Sequence, residues 1–226
     1  MARPDGGYYA AGKRLISNTE ALGVFKQMMG PEEAIVNRGR IGTAAHRATA
    51  WLDEHNLTWD TAPFEELLEL DRVSPEVAAY SRAWEKMKRD TGLKILPDEH
   101  GDPMIEKTLI VKQNGYHFAT TLDVYALLWN EPAIIEKKCV KVPDPWWGPQ
   151  LSGQAMAMEI QYGPPRQHPW KRRLVVCQLF SDGSGYTLHE KDKTGLAFDS
   201  PENRRMFLSC LEAQAWRVNH YGFKER

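Results

Sequence analysis

The chain has 226 residues, 42% of them hydrophobic and 26% charged, so it is long enough to bury one substantial core. We expect a single elaborated domain over residues 1–226. Lysine plus arginine number 29 and aspartate plus glutamate 30, a balance that argues against a protein that coats nucleic acid by charge alone. Neither a signal peptide nor an apolar stretch long enough to span a bilayer is recognisable, so no membrane partner is expected. Three cysteines without a Cys-x-x-Cys pair favour a reduced, cytoplasmic compartment over a zinc or disulfide framework.

The first part of the chain, about residues 14–100, is predicted to be a helical elaboration. Ser17 and Glu20 have the spacing of a capping box, which predicts a helix that begins there and runs toward residue 29. Further helices are predicted over about residues 41–55, from apolar side chains on one face, and from Ser74-Pro75 onward, from an N-cap followed by proline.

The second part of the chain, about residues 101–226, is predicted to be an α/β core. Asn114-Gly115 predicts a two-residue hairpin turn between two strands. Strands are predicted at residues 104–113, 116–128, 133–140, 173–180 and 186–190, and helices at about 149–162 and 200–220. This order predicts an α/β fold with a mixed central β-sheet flanked by helices.

Three charged residues lie within the strands of this predicted sheet. Asp123 is in the second strand, and Glu136 and Lys138 are two positions apart on the next, so the latter two side chains share a face. A charge that leaves water must be paired or bound to a metal, so these residues indicate a site. A plain ion pair between Glu136 and Lys138 explains the same pattern, and Glu-x-Lys alone occurs by chance in most proteins.

Residues elsewhere in the chain add to the case for a metal site. Gly42 and His46 are at i and i+4 of a predicted helix, where glycine would allow close approach and the imidazole could bind a metal. Glu106, on the strand before Asp123, adds a carboxylate. Gln150 and Gln154 share one face of the helix after the Glu-x-Lys strand. Each feature alone is ordinary, and their order and spacing together indicate the site.

In this order the motifs resemble the RecB-like branch of the PD-(D/E)XK nucleases, especially phage-type recombination exonucleases. In that family a Gly-x-x-x-His helix precedes a Glu-containing strand, a strand ending in Asp, an apolar strand with (Asp/Glu)-x-Lys and a helix with a Gln motif. The matching positions here are Gly42, His46, Glu106, Asp123, Glu136, Lys138 and Gln150. The resemblance implies a restriction-endonuclease-like core, metal-dependent DNA hydrolysis, and DNA and a single-strand annealing or recombination protein as partners.

The same resemblance implies roles for individual residues. A Mg²⁺ or Mn²⁺ ion would be bound by Asp123, Glu136 and the backbone carbonyl of Lys137, with His46 as an additional ligand and Glu106 as a further carboxylate. Lys138 would orient and help to deprotonate the attacking water and would stabilise the transition state.

Two positions depart from the family pattern. Thr120 replaces a glycine that usually lies three residues before the metal-binding Asp, and Gln154 replaces the tyrosine of the Gln motif. Either Gln150 or Gln154 is therefore a candidate to hold the substrate or Lys138.

The activity expected first is that of an exonuclease acting on DNA ends in recombination or repair. A structure-specific or restriction-like endonuclease with the same core is the alternative within the enzymes. A catalytically silent DNA-binding module of the same fold is the alternative from another class.

Two basic segments are candidates for phosphate contacts: Lys137, Lys138 and Lys141, and residues 166–173. Ordinary solvated surface is the competing interpretation for both. Trp146-Trp147 is expected to pack a helix onto the sheet rather than to stack with bases, because tryptophans are mostly buried.

Overall fold

The computed structural model describes residues 8–10, 13–26, 32–63, 74–163, 172–182 and 184–222. These residues form an eight-stranded mixed sheet flanked by five helices, so the predicted α/β fold class is confirmed. The strands are β1 Tyr8–Ala10, β2 Lys13–Ser17, β3 Lys94–Ile95, β4 Ile105–Gln113, β5 Tyr116–Leu128, β6 Glu131–Lys138, β7 Arg173–Leu179 and β8 Tyr186–His189. The helices are α1 Asn18–Lys26, α2 Glu32–Glu54, α3 Pro75–Thr91, α4 Trp147–Tyr162 and α5 Pro201–Tyr221.

Strand β5 is the centre of the sheet and pairs with four other strands. Strands β4 and β3 follow each other along one edge of β5, and both pair with it antiparallel. On the opposite edge, β2 pairs in parallel at Phe118–Ala119, and β6 pairs antiparallel over residues 124–128. Residues 120–123 therefore have neither β2 nor β6 as a partner on that edge, and the sheet is open there.

The two faces of the sheet bury separate apolar clusters. One cluster joins α1, α4 and α5 to the sheet, with Phe118 and Phe207 in edge-to-face contact at 5.2 Å between ring centroids. The other joins α2 and α3 to the sheet through Ala45, Trp84 and Ile135. Both cores meet the open part of β5, so rigid packing surrounds it on each side.

The amino-terminal region differs from its prediction. Residues 14–17 were expected within a helical elaboration, but with Lys13 they form β2, which joins the central sheet in parallel beside β5. Leu15 and Ile16 are buried there. A strand of five residues is too short to display a clear period, and its pairing partner lies far away in sequence.

Most other elements confirm their predictions, with shifted ends. Ser17 and Glu20 form the predicted capping box, since each side chain accepts a hydrogen bond of 3.0 Å from the other residue's backbone N–H. The predicted extension of this helix to residue 29 lies outside the described residues. Helix α2 begins at Glu32 rather than near Ile41, and β6 begins at Glu131 and ends at Lys138.

The sequence predicted that a helix would pack closely through Gly42, but the close packing occurs at glycines of helix α4. Among the described residues, a Cβ atom at Gly42 would have no neighbour within 4 Å, so the expected close approach of α2 to them through this residue is wrong. Helix α4 makes the close approach instead, because a Cβ at Gly153 would lie 2.7 Å from Phe207 and 2.8 Å from Asn18. These contacts bring α4 against α5 and α1.

Among the described residues, no helix is both long and apolar enough to cross a lipid bilayer.

Candidate metal centre

The site begins where two strands of the sheet separate. The ladder between β5 and β6 ends at the pair Val124 and Ile135, and Asp123 and Glu136 are the next residue on each strand. Asp123 Oδ2 accepts a hydrogen bond of 2.7 Å from the backbone N–H of Lys137. The carboxylate thus takes the place of a backbone partner and is fixed at the opening.

Strand β5 is distorted at the same position. Residues two apart in a regular strand share a face, yet Leu122 packs in one core and Val124 in the other. The register of β4 and β5 would set Glu106 opposite Asp123, but this pair is missing from the ladder, and Glu106 has a φ of 46°. A left-handed conformation at a residue other than glycine costs roughly 1–3 kcal/mol and often marks a functional site.

The distortion brings two carboxylates to an imidazole from helix α2. His46 Nδ1 lies 3.4 Å from Asp123 Oδ1 and 3.9 Å from Glu106 Oε1. One ligand atom from each of the three residues lies within 4.8 Å of the others. Asp123 is buried, whereas His46 and Glu106 remain partly exposed, so the cluster is accessible from one side.

The charges in this cluster are strongly coupled. Burial by itself would raise the pKa of Asp123, but the charge and hydrogen bond of His46, with Lys137, outweigh it and lower that pKa to about 2. Burial opposes charge on His46, but Asp123 outweighs it, so the pKa of the imidazole is raised. Burial, followed by the charge of Asp123, raises the pKa of Glu106 to about 7. Without a metal, protons therefore compete for the cluster near neutral pH.

The three residues could hold a metal ion. Glu106 Oε1 is buried and accepts no hydrogen bond from the described residues, which leaves an oxygen available for a cation. Ligand atoms around Mg²⁺ lie at roughly 2.1 Å from the ion and hence at most about 4.2 Å apart, so only small shifts are needed. Two carboxylates suit Mg²⁺ and Mn²⁺, and the imidazole favours Mn²⁺.

A second group of side chains surrounds Glu136. Its Oε1 accepts hydrogen bonds from Lys138 Nζ at 2.7 Å and Gln150 Nε2 at 2.6 Å, and its Oε2 accepts one from Gln154 Nε2 at 2.6 Å. Lys138 Nζ also donates to Gln150 Oε1 at 3.0 Å. Burial opposes the charge of Lys138, but Glu136 and Asp123 outweigh it and raise the pKa of the amine. Lys138 is therefore an ammonium in this state.

Both groups border one small pocket. It has a volume of about 150 Å³ and lies between the start of α1, strand β5 and helix α4. Its lining includes Asp123, Glu136, Gln150 and Gln154, together with Asn18. Polar atoms predominate, so the pocket suits water, an ion or a phosphate group rather than an apolar ligand.

The structure brings the predicted site residues into two adjoining sets. His46, Glu106 and Asp123 form the possible metal ligand set. Glu136 is not in that set, and its carboxylate is occupied by the hydrogen bonds described above, so its predicted role as a ligand stays a prediction. Both predicted glutamines contact Glu136, and Gln150 also accepts a hydrogen bond from Lys138, whereas their role toward a substrate stays a prediction.

Sequence reasoning missed two residues that support the site. Asn18 Nδ2 donates to Thr120 Oγ1 at 3.1 Å and to the Gln150 carbonyl at 2.9 Å, and thus joins α1, β5 and α4. Thr49 accepts a hydrogen bond of 2.9 Å from Lys137 Nζ. No sequence motif marks either residue, although Thr49 lies three positions after His46 on α2.

Of the two predicted basic patches, most of the described members are engaged with other side chains. The Lys137 side chain is fully buried, so its expected contact with DNA is wrong, because strand alternation sends it away from the face of Lys138. Arg173 is paired with Glu131 and Glu190, and Arg172 packs over the ring of Tyr125 at 5.8 Å. Residues 166–171 lie outside the described residues.

Other lysines are exposed beside the site. Lys141 follows strand β6, and Lys191 and Lys193 border a groove of about 430 Å³ that Trp147 also lines. Trp147 is itself only 4% exposed and belongs to the core, which confirms the predicted packing role for this tryptophan.

No family model matches the chain, and no curated protein sequence is significantly similar to it. The geometry of the site is therefore the basis for assigning a function.

Proposed function

We propose that the protein is a divalent-metal-dependent DNA nuclease that hydrolyses phosphodiester bonds. The observation that carries the proposal is the convergence of His46, Glu106 and Asp123 beside the Lys138 ammonium, at the opening between two strands. A possible metal ligand set next to a fixed cation is a combination that favours hydrolysis of an anionic ester.

A divalent ion held by the three ligands would polarise the scissile phosphate and the attacking water. The chain itself supplies positioning and charge. Asp123 is held by the Lys137 amide, and Lys138 is held by Glu136 and Gln150, so these groups keep their places before the substrate arrives. Because the pKa of Lys138 is raised, we assign it to donation toward the phosphate oxygens as negative charge develops.

The proposed substrate is DNA, and its ends are the expected place of cleavage. The metal-free cluster of carboxylates repels phosphate at short range, whereas a bound cation would reverse much of that local charge. The exposed lysines at positions 141, 191 and 193 are the proposed contacts with phosphates on either side. A net charge of −1 is compatible with binding that depends on this local pattern.

The test uses end-labelled linear duplex, covalently closed circular duplex and RNA of the same sequence, each with Mg²⁺, Mn²⁺ or EDTA. We expect degradation of linear DNA with either metal and none in EDTA. Asp123→Asn should be inactive, and Asp102→Asn, an exposed aspartate, is the matched control. Cleavage of the circle would assign an endonuclease, and no metal-dependent cleavage of any substrate would overturn the proposal.

A further inference from the structure

A second lysine lies on the reverse side of the candidate metal centre. Lys137 directly precedes Lys138, but its side chain enters the opposite core and is fully buried. Its Nζ lies 2.9 Å from Thr49 Oγ1, 3.6 Å from Glu106 Oε1 and 5.4 Å from the centroid of the Trp84 ring. A buried ammonium is strongly unfavourable without a compensating charge, so this arrangement requires a reason.

The compensating charge comes from the candidate metal centre itself. Among the described residues, Glu106 is the acidic side chain within ion-pair distance of Lys137 Nζ. Glu106 Oε1 accepts no hydrogen bond there, so the lysine acts on it through charge rather than by capping its lone pairs. Thr49 also donates to the His46 carbonyl at 3.0 Å, which connects Lys137 to the helix that presents the imidazole.

Few negative charges therefore remain available to bind a cation at the centre. Glu106 and Asp123 are the carboxylates of the ligand set, and Lys137 offsets one of them. Both oxygens of Glu136 are already hydrogen-bonded, and Lys138 pairs with it from the other face. A two-metal site needs carboxylates for two ions roughly 3.5–4 Å apart. The two lysines already supply positive charge beside these carboxylates, so little negative charge is left for a second ion.

We propose that Lys137 is a resident counter-ion of the centre and limits it to a single divalent cation. The inference rests on the metal centre of the proposed function and adds the number of ions and the residue that sets it. Lys137 is a positioning residue, because it acts on the ion through Glu106 and does not reach the pocket. Its positive charge also weakens the first ion's binding, since like charges repel across the buried carboxylate.

The test is calorimetric titration of the metal-free full chain with Mn²⁺, counting only the sites that Asp123→Asn removes. Wild type should bind one ion. Lys137→Met should bind Mn²⁺ more tightly by about tenfold or more, because a repulsive charge is gone. Lys112→Met, an exposed lysine on β4, should leave the affinity unchanged.

A second variant covers the case in which Lys137→Met does not fold, as judged by circular dichroism. Lys137→Gln keeps a donor for Thr49 and removes the charge, and it should show the same increase in affinity. The inference would be overturned if wild type bound two ions, or if the folded neutral variants bound Mn²⁺ with unchanged or weaker affinity. The proposed function would still stand in either case if cleavage depended on metal. A wild type that binds no ion would overturn the metal centre itself.

Discussion

His46 Nδ1 on helix α2 and Asp123 Oδ1 on strand β5 lie 3.4 Å apart at the opening where β5 and β6 separate. The contact links the two apolar cores of the protein. Ala45, next to His46, packs in the core that includes α3, whereas Leu122, next to Asp123, packs in the core that includes α4. A metal bound at this contact would have ligands on two rigid elements, which favours a defined coordination geometry.

His46→Ala is expected to weaken Mn²⁺ binding by at least tenfold, since it removes one of three ligands, and loss of even an outer-shell partner costs about 10- to 100-fold. Calorimetry on the metal-free proteins measures the change. His55→Ala is the matched control, because His55 is exposed near the end of the same helix. Equal affinities in wild type and His46→Ala would remove the imidazole from the ligand set.

Lys138→Ala is expected to lower the cleavage rate by at least about a hundredfold, because the fixed cation beside the phosphate is lost. Mn²⁺ affinity should fall much less, since the ligands are retained. The comparison is single-turnover cleavage at saturating Mn²⁺, with Lys112→Ala, an exposed lysine on β4, as the control. Near-normal turnover by Lys138→Ala would contradict its assigned role.

Glu106→Gln is expected to make the stability of the metal-free protein less dependent on pH. The pKa of Glu106 is raised from 4.5 to about 7, so its contribution to stability is fully present below pH 4.5 and is lost as the pH rises through 7. A neutral glutamine avoids that loss. In EDTA, the melting temperature of wild type should fall more between pH 5 and pH 8 than that of the variant. If the melting temperatures of the two proteins differed by the same amount at both pH values, ionisation of Glu106 would not be the cause.

Alanine at Gly153 and alanine at Gly42 should have different effects on the stability of the protein. Gly153→Ala inserts a methyl group against Phe207 and Asn18 and should destabilise the protein by about 1–3 kcal/mol. Gly42→Ala places a methyl group with no described neighbour within 4 Å and should be neutral or stabilise by up to about 1 kcal/mol. Urea unfolding of both variants gives the comparison. A larger loss at Gly42 than at Gly153 would contradict the described packing of α2 and α4.

The sequence was sufficient to predict the strands that carry Asp123, Glu136 and Lys138, because hairpin turns and apolar runs are local signals. It also predicted that both glutamines lie on the helix face after the Glu-x-Lys strand. Local signals could not predict the parallel pairing of β2 with β5, which depends on a distant partner.

The sequence likewise could not separate the roles of the two adjacent lysines. Alternation along β6 predicts opposite faces, but not that the face of Lys137 is buried beneath α2 and α3. Nor does any local pattern predict the positive φ of Glu106 that accompanies its convergence with His46 and Asp123. Such distortions follow from packing around the site rather than from local preference.

The central claim is that the centre formed by His46, Glu106 and Asp123 is the metal site of the cleavage reaction. Its most direct test is one Mn²⁺ titration in which bound ion and the single-turnover rate of DNA cleavage are measured on the same samples. We expect both curves to have the same midpoint in wild type and to shift together in His46→Ala. Cleavage that persists in EDTA, or that saturates at a different Mn²⁺ concentration from the site lost in Asp123→Asn, would contradict the claim.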